Sequence, residues 1–147
     1  EIGGGMYPML YPLFILLLPF EMGTIPLMLV AFFFGLTIDA FSNTFGLHAS
    51  SALVFAFFRP IIFKLFSPRD GYENIEVSSV YTMGFRWFLL TFGLLLSIHH
   101  FWFFIVEVFK INEILLILRK LLLSLPVSFL LALLTQFIFF QKKKAER

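Results

Sequence analysis

The sequence predicts an all-α fold, a polytopic transmembrane helical bundle forming a single domain over residues 1–147. Three observations predict it. Of the 147 residues, 60% are hydrophobic and only 14% are charged, against about 25% charged in a soluble domain. Twenty-three residues are Phe, and the mean hydropathy is +0.95. The apolar residues also fall into stretches separated by turn-like sequence. A water-soluble fold of this size has too little interior to hide that much apolar surface, so the excess faces lipid. A soluble enzyme, a secreted module and a disordered chain are thereby excluded. Cysteine is absent, which removes disulfides, thiolate zinc sites and cysteine nucleophiles.

Five stretches count as spans. The first, Met6–Phe20, carries Pro8, Pro12 and Pro19. At 1.5 Å per residue it reaches roughly 22 Å, short of a ~30 Å hydrocarbon core. The second is Thr24–Ala40, the third Leu47–Phe66, the fourth Phe85–Phe109 and the fifth Leu121–Phe140. Glu21-Met22-Gly23, Ser42-Asn43-Thr44, Ser67–Ser79 and Lys110–Glu113 read as the connections. Within the loop, Ser67-Pro68-Arg69-Asp70-Gly71 reads as a turn. The stretch Phe57–Phe66 either lies flat in the interface as an amphipathic helix or completes the third span. Length favours the second, with Arg59 snorkelling toward head groups. Gly35, Gly46 and Gly93 read as close-contact points between helices. Pro126 predicts a kink in the fifth span, with Ser124 and Ser128 re-satisfying the freed backbone.

Basic residues set the expected orientation. Arg59, Lys64, Arg69 and Arg86 flank the middle loop, and Lys142, Lys143, Lys144 and Arg147 follow the fifth span. These eight lie on one side, against three (Lys110, Arg119, Lys120) on the other. The bias predicts a cytoplasmic middle loop and a cytoplasmic C-terminus. An odd span count then places residue 1 outside, and parity predicts a sixth, N-terminal span in the full-length protein. The middle loop is expected to contact anionic lipid and a cytoplasmic partner. No basic face suited to nucleic acid exists.

Ionisable groups inside lipid each need an account. Asp39, His48, His99, His100 and Glu107 all fall in the outer half under this orientation. The adjacent His99 and His100 diverge by about 100° on an ideal helix, which argues against one metal centre. Hydrogen bonding between helices is expected instead, with Asp39 and a histidine pairing. Serines lack the G-x-S-x-G context of a hydrolase, and Gly3-Gly4-Gly5 lacks the GK[ST] of a phosphate loop. Neither an enzyme nor a cofactor is expected. The outer half, with Phe101, Phe103 and Phe104 taken as its aromatic surface beside Trp102, is expected to meet a partner's membrane helix.

The central stretch resembles a known family. Gly35-Leu36-Thr37-Ile38-Asp39, Phe45-Gly46-Leu47-His48-Ala49, Phe58-Arg59-Pro60, Phe66-Ser67-Pro68-Arg69-Asp70-Gly71-Tyr72-Glu73 and Met83-Gly84-Phe85-Arg86-Trp87 are similar to the rod shape-determining MreD family, in its Bacteroidetes branch. The resemblance extends from Tyr11-Pro12 to the basic tail. It implies a non-catalytic, six-span inner-membrane component of the machinery that builds lateral peptidoglycan. It also implies partnership with MreC, the MreB filament, RodA and its transpeptidase. The family's fold is similar to the substrate-binding subunits of energy-coupling-factor transporters, so a small-solute or vitamin-binding subunit is the alternative. A solute binder needs a roomy polar pocket; Phe41, Phe45, Phe101 and Trp102 are expected to crowd the outer polar set, which favours a scaffold.

Overall fold

The computed structural model describes residues 2–140 and is helical, with an isolated antiparallel bridge between Ile2 and Met6. The basic tail from Lys142 to Arg147 lies outside the described residues. Six α-helices follow in order: α1 Tyr11–Leu17, α2 Thr24–Ser42, α3 Leu47–Leu65, α4 Val80–Met83, α5 Phe85–Val108 and α6 Ile114–Phe139. A 3-10 turn at Ile111–Glu113 leads into α6. Four helices, α2, α3, α5 and α6 with its leading turn, are long and apolar enough to cross a membrane. That agrees with a membrane protein.

The spans from the second to the fourth fall within two residues of their expected limits. The last begins seven residues earlier than expected, so Arg119 and Lys120 lie inside α6 rather than before it. The connection at Lys110–Glu113 survives because Phe109 adopts a left-handed conformation, φ 49°, and ends α5. In the middle loop, Gly71 donates its N–H to the Pro68 carbonyl at 3.1 Å with φ +68°, closing the expected turn. Ser79 and Thr82 then form a reciprocal capping box that starts α4.

The first stretch departs most from expectation. Only the seven residues Tyr11–Leu17 are α-helical. Pro12 sits in the first turn, where a missing N–H is harmless. Pro8 and Pro19 flank the helix and discourage its extension. The segment is nevertheless central. Leu13, Ile15 and Leu16 are buried with Phe55, Phe88, Phe92, Leu95 and Leu96 of α3 and α5 in one apolar core. Its contacts run from Tyr7, beside Phe104 and Glu107, to Phe20, stacked on Tyr72 at 4.7 Å. The segment thus extends from one end of the bundle to the other.

Helix α3 is continuous through Phe58 and Pro60, so Phe57–Phe66 completes a helix rather than forming a separate surface one. On its inward face Phe55, Ala56, Arg59, Ile62 and Phe63 are buried, while Ile61 and Leu65 face out. Helix α6 runs on through Pro126. Its buried positions Ile117, Ser124, Ser128, Ala132 and Gln136 form one stripe. Apart from Ile117 the stripe is polar or small, and the opposite faces are leucine and phenylalanine, the inverse of a water-soluble helix.

Gly35 is a true close-contact point. A Cβ there would lie 2.7 Å from the Ala49 Cα and from the His48 carbonyl oxygen, so α2 rests on the backbone of α3. Gly93 has open space around it, and Gly46 serves through its positive φ of +84° at the start of α3. Gly35→Ala should therefore force α2 from α3 and cost about 1–3 kcal/mol. Thermal unfolding in detergent should show a clear loss of stability for Gly35→Ala and none for Gly93→Ala.

Candidate functional site

The candidate site is a buried polar chain at the end of the bundle where α2 ends and α3 begins. Asp39, 5% exposed on the last turns of α2, accepts from the amides of α3. Its Oδ1 receives the His48 N–H at 3.0 Å and the Thr44 hydroxyl at 2.7 Å, and its Oδ2 receives the Ala49 N–H at 2.9 Å. Helix α3 starts at Gly46, which has no side chain to cap it. Asp39 supplies that cap from the preceding helix, and its negative charge suits the helix N-terminus. Asp39 does meet a histidine, but through the backbone amide of His48 and not through its ring.

The ring of His48 instead reaches Tyr11, with Nδ1 3.3 Å from the phenol oxygen. That same phenol contacts Nε2 of His99. His99 Nδ1 lies 3.3 Å from His100 Nδ1. His100 Nε2 lies 3.0 Å from the Ser128 hydroxyl, and that oxygen accepts the Met9 N–H at 2.9 Å. His99 and His100 are both fully buried. Their 100° divergence does not separate them, because His99 points at α1 and His100 at α6 while their inner nitrogens stay adjacent. Among the described residues, no three His, Asp or Glu side chains converge to hold a metal ion. The chain of groups stitches α1, α3, α5 and α6 together.

Glu107 stands apart. It pairs with Lys120 of α6 at 2.9 Å and accepts the Tyr7 hydroxyl at 2.9 Å. Lys120 also lies over the Tyr7 ring, 5.3 Å from its centroid. At the opposite end, Arg59 does not snorkel. It is 2% exposed, and its Nε and Nη2 donate to the Leu16 carbonyl at 3.3 and 3.0 Å. Nη2 also donates to the Leu18 carbonyl. Ser78 donates to the same Leu16 carbonyl at 2.7 Å. Ser124, expected to mend its own helix, accepts the Tyr7 N–H at 3.0 Å. Arg59, Ser78 and Ser124 each close a main-chain group in or beside the short helix α1.

Several residues expected at a partner surface lie inside. Phe104 is fully buried and Phe103 nearly so, packed with Met9 and Ile117. Asp39, His99, His100 and Phe104 consequently offer no contact surface, and Glu107 is taken by Lys120. Phe101 and Trp102 do face out, at 40% and 41% exposure. Phe41 and Phe45 also project outward and do not crowd the polar groups. Between the first segment and α2–α3 lies a cavity of about 410 Å³, with Tyr7, Tyr11, Ser42, His48 and Phe103 among its lining residues. Lys64, Arg69 and Arg86 are exposed at the opposite end.

The sequence reading missed Tyr7, Tyr11, Ser78, Lys120 and Gln136 as structural partners. The one available signal was the stripe Ser124, Ser128, Ala132 and Gln136 at four-residue spacing, polar on an otherwise apolar helix. Comparison of the chain with family models, with curated proteins and with solved structures finds no match in any of the three.

Ser128→Ala removes the partner of both the Met9 amide and His100 Nε2, and should destabilise the protein by about 1–3 kcal/mol. Thr135→Ala, whose exposed hydroxyl bonds its own helix at Leu131, should cost far less. Equilibrium unfolding in mixed micelles compares the two. Equal losses would contradict the role assigned to Ser128.

Proposed function

We propose that the chain is a non-catalytic scaffold of the bacterial inner membrane, of the kind its central motifs resemble in the MreD family. In this reading it binds MreC and links the MreB filament, RodA and its partner transpeptidase in the cell-elongation machinery. The first segment is a fifth crossing, the Glu107 end faces outward, and the Arg59 end and the C-terminus face the cytoplasm. The observation supporting a scaffold is the use of the interior polar groups. Asp39, Tyr11, His99, His100, Ser124 and Ser128 bond one another or the backbone of neighbouring segments, and so hold one arrangement of helices.

The partner contacts are then assigned to the outward aromatic residues Phe41, Phe45, Phe101 and Trp102. Helices in lipid associate by close packing and polar contact, not by apolar attraction. An added charge there costs about 2.5–3.5 kcal/mol at mid-membrane depth. Phe101→Arg should therefore lower the MreC that co-purifies in mild detergent by more than tenfold. Photocrosslinkers at Phe45 and Phe101 should trap MreC, and those at Phe137 and Ile138 of α6 should not. Capture only from α6 would overturn the interface. Arg69, exposed on the Pro68–Gly71 turn, is assigned to the cytoplasmic partner. Arg69→Glu should weaken MreB association with membrane insertion unchanged, and an unchanged pull-down would remove that assignment.

The 410 Å³ cavity beside His48 and Tyr11 favours a second reading, a small-solute binding subunit. A vitamin-sized solute that raises the thermal stability of the purified chain, with no MreC captured, would support it over the scaffold.

A further inference from the structure

A buried cation with no carboxylate partner among the described residues sits at the opposite end from the histidines. The ion pairs among the described residues are Lys110–Glu113 and Lys120–Glu107; Arg59 belongs to neither. Its guanidinium is held by the Leu16 and Leu18 carbonyls through Nε and Nη2 and lies 4.6 Å from the centre of the Phe63 ring. These are neutral partners. A buried charge is costly unless it is compensated, and an ionisable residue inside a membrane bundle marks a site by default.

Arg59 also lines a pocket of about 310 Å³. Lys64, five residues further along α3, and Ser67, whose hydroxyl donates to the Pro68 carbonyl at 3.3 Å, line it as well. The remaining wall is Tyr72, whose hydroxyl is taken by the Phe63 carbonyl at 2.6 Å, and apolar residues that include Met22, Leu27, Pro60 and Phe63. Two cations and a hydroxyl against an apolar wall match an anion carried on a hydrocarbon. The exposed Ile25 of α2 and Ile61 and Leu65 of α3 place outward apolar surface on the same two helices. The charge is local: a neighbouring cavity, separated by the stacked Phe20 and Tyr72 rings, is lined by Glu21, Glu73 and Glu76 and would repel the same anion.

We propose that the pocket formed by Arg59, Lys64 and Ser67 binds the phosphate of an anionic membrane lipid, with an acyl chain along Met22 and Leu27. Arg59 is fixed by α1, so it meets the phosphate already oriented, and Lys64 supplies a second, mobile charge. The lipid would neutralise the buried guanidinium and close the bundle at this end. An inorganic phosphate shares the headgroup chemistry and has no use for the apolar wall.

Native mass spectrometry of the full chain in detergent tests this with three probes: phosphatidylglycerol, phosphatidylcholine of the same acyl chains, and inorganic phosphate. Phosphatidylglycerol should be retained about tenfold more than phosphatidylcholine, equivalent to about 1.4 kcal/mol. Lys64→Gln and Met22→Trp, which spare the Arg59 contacts with α1, should each reduce retention to the phosphatidylcholine level. Lys110→Gln, at the other end of the bundle, should not. Equal retention of the two lipids, retention unchanged in both pocket variants, or full displacement by millimolar inorganic phosphate would each overturn the proposal.

Discussion

Inside an apolar slab, every unpaired peptide N–H or C=O costs several kcal/mol, so irregular backbone survives there only when protein groups supply partners. The segment Met6–Phe20 contains Pro8, Pro12 and Pro19 and forms only seven residues of helix. Its open groups at Tyr7, Met9, Leu16 and Leu18 lie among the long helices. Ser124 and Ser128 accept the two amides, and Arg59 and Ser78 donate to the two carbonyls. The buried polar stripe of α6 and the inward turn of Arg59 follow from this need. So does the placing of Tyr11 between His48 and His99, since α1 has to sit where those rings can reach its phenol.

The same constraint acts at smaller scale elsewhere. Helix α3 begins at a glycine with no capping side chain, and Asp39 reaches over from α2 to serve its first amides. Gly35 allows that reach, because it lets the two helices approach to backbone contact. Gln136 accepts the Val80 N–H at 2.7 Å and ties the end of α6 to the start of α4. Its Nε2 and the Thr91 hydroxyl remain the buried side-chain polar atoms without a partner among the described residues. Polar residues at these helix contacts thus act on the backbone of neighbouring segments more than on one another.

Much of the fold was legible because long apolar runs report span length directly. The limits of α2, α3 and α5 followed from composition, and the turn at Pro68–Gly71 from its residue types. The first segment was counted as a span despite its prolines, and the sequence could not say which side chains would mend its short helix, because Tyr7 and Ser124 lie 117 positions apart. For the same reason Arg59 read as a snorkelling residue and Phe104 as lipid-facing. Both faces of α3 and α5 are apolar, so hydropathy alone cannot tell the inward face from the outward one. The candidate histidines were found by their cost in lipid, but their link through Tyr11 depends on how α1 docks.

The central claim is that the first segment lies in the bundle interior with its amides held by α6 serines. Residue-resolved hydrogen–deuterium exchange of the full chain in lipid nanodiscs tests it directly. The Tyr7 and Met9 amides should be strongly protected, with exchange rising at Tyr7 in Ser124→Ala and at Met9 in Ser128→Ala while the α5 amides remain protected. Rapid exchange of Tyr7 and Met9 in the unaltered protein, or protection indifferent to both serines, would contradict the account.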